Sequence, residues 1–269
     1  MDATTALQWT TWLGALSTIQ VALGWLSQAK LFREPGLLAW SVLRLRAAKR
    51  RRPRLTEAVT PLVGYHGVLV QLALRVILAG FTMWPSLPAA ASALACTALF
   101  CLTLLWKWRQ DPFAVNGNDQ MHMLLWGSLA LVHLGTWWFP DEKVSHLCLW
   151  FLTAMVLLSY ATGGLAKVVD ANWRGGKVFG QLHEVGVLRD LAATRGLCQA
   201  PWCHVAAWTV IAFELVAPLV LFLPPNVVVA VLCGLLLFHV VNAWLLAIQD
   251  FTLAWLTFFP AVYYTANSF

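Results

Sequence analysis

Charge is what this sequence has least of. Only 11% of its 269 residues are Asp, Glu, Lys or Arg, where a water-soluble domain carries roughly 25%. That shortage excludes a single soluble globule, and the 60% hydrophobic content excludes disorder. Six cysteines are too few for a secreted disulfide scaffold of this length. The net charge of +6 does not point to nucleic acid, because nine of the eighteen Lys and Arg fall between Lys30 and Arg54. Such clustering sets membrane topology. A basic leader with a small-residue cleavage site is also missing, since Asp2 stands where the first cation would be, so no cleavable signal peptide is expected. No long internal repeat is evident.

What is present is apolar sequence in long continuous runs. Barrel strands are short and alternate apolar with polar residues, so a β-barrel does not fit. Helices are the other way to satisfy every backbone group in lipid. The fold expected is an all-α, polytopic membrane helical bundle, a single transmembrane domain over 1–269. At ~20 residues per crossing, the apolar residues supply about eight spans. These run over about 6–26, 59–83, 87–107, 119–139, 144–167, 203–223, 227–248 and 251–267. Pro85, Pro88, Pro140, Pro224 and Pro225 stand at joints, where a lost amide donor costs little.

Two stretches outside the spans look structured. In the basic segment 30–58, residues 36–50 (GLLAWSVLRLRAAKR) mix apolar and basic groups at helical spacing before Arg51, Arg52, Pro53 and Arg54. They read as an amphipathic interfacial helix that anchors topology. The second stretch, 168–202, carries Arg174, Lys177, Arg189 and Arg195. With Lys107 and Arg109 after the third span, the basic joints fall on one side. Both chain ends are then outside and 168–202 is cytoplasmic. Cys198 and Cys203 bracket QAPW with His204 next. This offers too few ligands for zinc, and no metal is expected. A disulfide fits if the loop faces outward.

Ionisable residues inside spans are costly and default to function. Arg75, Asp119, His122, His133, Lys167, Glu214 and His239 are the candidates. Glu214 is mid-span in AFELVAP and must be protonated, paired or beside a wet cavity, with Arg75 as one partner. His239 and Asn242 share a helical face. Lys167 can snorkel to the headgroups or serve as a general base. Gly163 and Gly164, one turn earlier, let another backbone approach. Sixteen Trp residues read mostly as interfacial belts, Trp137 and Trp138 above all.

Three blocks occur in a telling order. They are Tyr160, Gly164, Lys167, Trp173 and Gly176 in YATGGLAKVVDANWRGG; Phe213–Glu214 with Pro218; and His239, Asn242, Ile248 and Phe251 in HVVNAWLLAIQDF. A weaker fourth is NGNDQMHMLL at 116–125. Over about 105–265 the chain resembles the HTTM (horizontally transferred transmembrane) family, relatives of the membrane domain of vitamin K-dependent gamma-carboxylase. The resemblance implies a membrane-embedded enzyme acting with reduced vitamin K (menaquinol-type) or another quinol. Its chemistry would be of the carboxylase or oxygenase type, carbon–carbon lyase in class. Lys167 matches the base and His239 a catalytic group of the same cavity. Asp119, Tyr160, Trp173, Glu214, Asn242 and Arg75 are the implied substrate or quinone contacts. Partners would be membrane lipids, a lipid quinone and a peptide or protein substrate, with no nucleic acid. In a bacterium the location would be the cytoplasmic membrane. Asp119 or Asn118 stands where the carboxylase has a catalytic His, and a carboxylate does not act as an imidazole does. The carboxylase's large soluble region has no counterpart, and its lumenal site opposes the cytoplasmic side assigned by charge. The alternative is an accessory membrane protein for maturation, export or immunity of a secreted peptide. A transporter ranks third, because repeated halves with broken helices are not seen.

Overall fold

A computed structural model describes residues 1–50, 57–110 and 117–268. Among them every regular element is helical. The basic run Arg51, Arg52, Pro53 and Arg54 lies outside the described residues, as does Asn116 at the start of the fourth block. The chain divides into two compact units. One is Gln8–Cys148; the other joins Met1–Leu7 to Leu149–Phe269.

The first unit contains most of α1 (Ala3–Ser27), then α2 (Trp40–Arg50), α3 (Tyr65–Thr82), α4 (Ala89–Gln110), α5 (Gly117–Gly135) and the start of α6 (Asp141–Val169). Its core includes Phe32, Leu72 and Trp106. α3, α4 and α6 are long and apolar enough to cross a membrane. α1 and α5 have the length, but their polar residues lower their hydropathy. Those polar groups meet each other: His122 Nε2 lies 3.0 Å from Ser17 Oγ, and Trp126 Nε1 donates to Thr18 Oγ1 at 3.0 Å. Bonding between helices is how polar side chains are tolerated in an apolar bundle.

Arg109 departs from its expected place among the topology-setting charges of a joint. It is 1% exposed. Its Nε donates to the Val63 carbonyl at 2.9 Å and its Nη2 to the Leu38 carbonyl at 2.6 Å, with the guanidinium over the Phe32 ring. It clamps loop carbonyls inside the unit. In α2 the residues Trp40 and Leu43 are buried against Val63, while Leu45 is exposed. The helix thus gives one face to the protein.

The second unit contains the rest of α6, a short helix α7 (Lys177–Glu184), α8 (Trp202–Val216), α9 (Pro225–Leu246), α10 (Asp250–Leu256) and α11 (Phe259–Ala266). α8 tightens into a 3-10 turn over Ala217–Phe222. α8 with that turn, and α9, complete a set of five helices fit to cross a membrane among the described residues. The expected last span is instead two short helices. Pro260 explains the break: it has no amide to donate, and its ring meets the carbonyl four residues back, at Leu256. The sequence reading passed over this proline. The segment 170–201 is folded. Asp170 caps the turn Ala171–Arg174 by accepting from the Asn172 amide. Arg174 Nη1 donates to the last carbonyls of α6, Val168 and Val169, which have no helical partner. Val178, Phe179 and Leu188 then pack on Cys203 and Ala207 of α8.

Candidate functional site

The second unit holds a cavity of about 380 Å³. Its walls come from α6, the folded segment, α8, α9 and α10. They are mainly apolar and aromatic: Trp173, Phe179, Phe238, Phe251 and Trp255 face it. A few polar groups interrupt them.

Lys167 and Glu214 form the first group. Lys167 Nζ donates to Glu214 Oε2 at 2.6 Å and to Oε1 at 2.9 Å. It also lies 5.0 Å from the centre of the Trp173 ring. The lysine side chain is 19% exposed and the glutamate 12%. Lys167 therefore does not snorkel outward; it is held by a carboxylate on one side and an aromatic face on another. The cation beside Glu214 is Lys167, not Arg75 as the sequence reading allowed.

Glycine makes this pairing reachable. A Cβ on Gly163 would lie 3.3 Å from Glu214 Oε2, and one on Gly164 would lie 2.9 Å from Leu215 Cγ and 3.1 Å from Glu214 Cβ. The bare backbone of α6 lets α8 come close enough for a short bidentate contact. Gly176 serves the same end by another route. Its φ of +69° and the Cys203 backbone 2.8 Å from where its Cβ would sit both demand glycine. The folded segment is thereby seated on the first turn of α8.

His239 and Tyr160 form the second group. Tyr160 Oη is 2.6 Å from His239 Nε2. The imidazole stacks on Trp255, centroids 5.0 Å apart and planes at 20°, with Phe238 and Phe251 around it. His239 is 3% exposed, and its Nδ1 has no hydrogen-bond partner among the described residues. Asn242 lines the cavity one turn on.

Of the residues named from sequence, Lys167, His239, Tyr160, Trp173, Glu214 and Asn242 all border this cavity. Arg75 and Asp119 belong to the other unit. There Arg75 Nη2 donates to the Leu102 carbonyl at 2.7 Å and the guanidinium lies over Trp106. Sequence reading missed Trp255, Phe238 and Phe179. Trp255 is one of sixteen Trp residues, and nothing in its spacing separates a cavity wall from a lipid-facing ring.

Cys198 and Cys203 are free thiols. Cys198 Sγ donates to the Phe179 carbonyl at 3.4 Å. Burial, then the neighbouring Cys203, pushes the Cys198 thiol above its ordinary range. Among the described residues no three His, Cys, Asp or Glu gather where a metal could bind.

The fold and site define a helical protein with membrane-length apolar helices and an aromatic-walled cavity holding one ion pair and one tyrosine–histidine pair. No family model, curated protein or solved structure matches the chain at a level that shows relatedness.

Proposed function

We propose that the protein is a multi-pass protein of the cytoplasmic membrane, with about eight crossings, whose cavity takes a lipid quinol for carboxylase- or oxygenase-type chemistry. The reading keeps the likeness to the HTTM family and to the vitamin K-dependent gamma-carboxylase membrane domain. One observation carries it. Lys167, Glu214, His239 and Asn242 converge on a single apolar cavity, although the last lies 75 positions after the first.

The residues suit such a ligand. Ring-lined walls and a few polar groups are the usual make-up of a pocket for an apolar cofactor, and about 380 Å³ falls within the ~300–1,000 Å³ typical of small-molecule sites. A quinol would supply a ring whose deprotonated form reacts with oxygen. Lys167 is the base toward a quinol hydroxyl. To accept that proton, Nζ must first release its own, and Glu214 at 2.6 Å is placed to receive it. Trp173 covers one side of Lys167. Asn242 orients the ligand, and a peptide or protein substrate would approach from the lipid surface.

Lipid extracted from protein purified out of native membrane should contain a quinone, found by mass spectrometry. Lys167→Ala should abolish quinol turnover while the helical circular dichroism signal stays intact. Full turnover in that variant would sink the proposal.

The bidentate hold on Lys167 favours a second reading. In an accessory protein for maturation, export or immunity of a secreted peptide, the pair would be structural. Lys167→Met with Glu214→Leu would then preserve that role.

A further inference from the structure

The hydrogen-bond inventory around Tyr160 fixes something the heavy atoms alone leave open. Tyr160 is 4% exposed. Among the described residues its hydroxyl has one partner, His239 Nε2, at 2.6 Å. A buried phenol that cannot donate its proton loses a hydrogen bond. Nε2 is the acceptor on offer, so the O–H points there and Nε2 carries the lone pair.

The other nitrogen follows. The imidazole is enclosed by Trp255, Phe238 and Phe251, and no carboxylate bonds it. An unpaired cation in that setting is strongly disfavoured, so the ring is neutral. A neutral imidazole with an unprotonated Nε2 carries its proton on Nδ1. Nδ1 is buried and unpartnered in a ring that borders the cavity. The side chain of Asn242, three residues on in α9, also lines the cavity.

We infer that Tyr160 sets the tautomer of His239, so that the aromatic end of the cavity offers an Nδ1–H donor and selects an apolar ring compound with a carbonyl oxygen there. Tyr160 is a positioning residue, and His239 contacts the ligand. The carbonyl accepts from Nδ1–H, Asn242 adds its amide, and Phe251 and Trp255 take the ring faces. A ligand hydroxyl could also accept from Nδ1–H, but its own proton would then have to turn to Asn242 Oδ1, whereas a carbonyl leaves no ligand donor to place. The inference rests on the quinol reading only for the choice of probe: it adds which kind of ligand oxygen meets His239.

The test uses full-length protein labelled with ¹⁵N-histidine in lipid nanodiscs. Long-range proton–nitrogen spectra report the tautomer, and His239→Leu identifies the His239 signals. The expected result is a neutral ring with the proton on Nδ1, moving largely to Nε2 in Tyr160→Phe. A proton on Nε2 in the unaltered protein overturns the inference, whether or not any ligand binds. A second measurement adds 2-methyl-1,4-naphthoquinone labelled with ¹³C at its carbonyls. One carbonyl stretch should move to lower frequency, and His239→Leu should weaken binding about tenfold, the worth of one good hydrogen bond. If the probe fails to bind while Nδ1 holds the proton, the quinol reading falls and the donor assignment stands.

Discussion

Glu214 and Lys167 show how far a residue can be read alone. A carboxylate in AFELVAP is conspicuous because lipid should have excluded it, and that suffices to single it out. Its partner is not legible in the same way, because Lys167 is 47 residues away and only the packing of α6 on α8 brings them together. Breaking a largely buried pair strands the surviving charge. Glu214→Gln should therefore lower stability by about 2–4 kcal/mol, read as a fall in the detergent melting temperature. Lys167→Met combined with Glu214→Leu should recover most of that loss, because no charge is left behind. If the double variant is as unstable as the single one, the pair is not what holds this contact. Arg109 teaches the converse. Its sequence context, beside Lys107 after a span, reads as a headgroup charge, yet it is bonded to Val63 and Leu38 carbonyls that no local pattern reveals.

Helices were the most legible level, because apolar runs announce them, and α9 follows its run within two or three residues. Where elements end was harder. Pro260 splits the last expected span, and only its position relative to Leu256 gives the reason. Gly163 and Gly164 were readable as a place of close approach, and the structure names what approaches. In Gly164→Ala the new methyl would press on Leu215, at a cost of about 1–2 kcal/mol. Leu215→Ala in the same chain should return part of it, checked by thermal unfolding in detergent. The turn at Ala192–Leu197 carries a different sensitivity. Arg195 donates to Asp190 at 2.8 and 3.2 Å, and that hydrogen bond, then the charge itself, holds the Asp190 carboxyl below its ordinary range. Its contribution is present above the ordinary carboxylate range and is lost as pH falls through the lowered value. Protection against hydrogen exchange over 190–197, taken relative to the intrinsic rate at each pH, should thus fall in acid, below about pH 4, and Asp190→Asn should remove that dependence. Both side chains are exposed, so the effect stays local.

At the scale of the whole molecule, span number decides where the chain ends lie. Five helices among those described are long and apolar enough to cross. α1 and α5 bond to each other through Ser17, Thr18, His122 and Trp126, and polar residues used inside a bundle depress hydropathy without barring a crossing. If α1, α5 and the α10–α11 pair also cross, the number is even and both chain ends are on one side. Five crossings alone would put them on opposite sides. Reporter fusions at Met1 and Phe269 should give matching signals, both outside by the charge distribution. Composition carried the membrane assignment and lone ionisable residues carried half of the site. The aromatic half came from chain segments whose spacing holds no trace of the cavity.

The corner between α9 and α10 bears on that aromatic half. Ala247 sits there with φ +55°, a left-handed conformation that a residue with a Cβ adopts at some cost. His239 lies before the bend and Trp255 after it, and their rings stack across it. The placement of those touching rings therefore depends on a backbone angle eight residues from either one. A substitution that changed that angle would shift the stacked pair, and with it this wall of the cavity, without altering either ring.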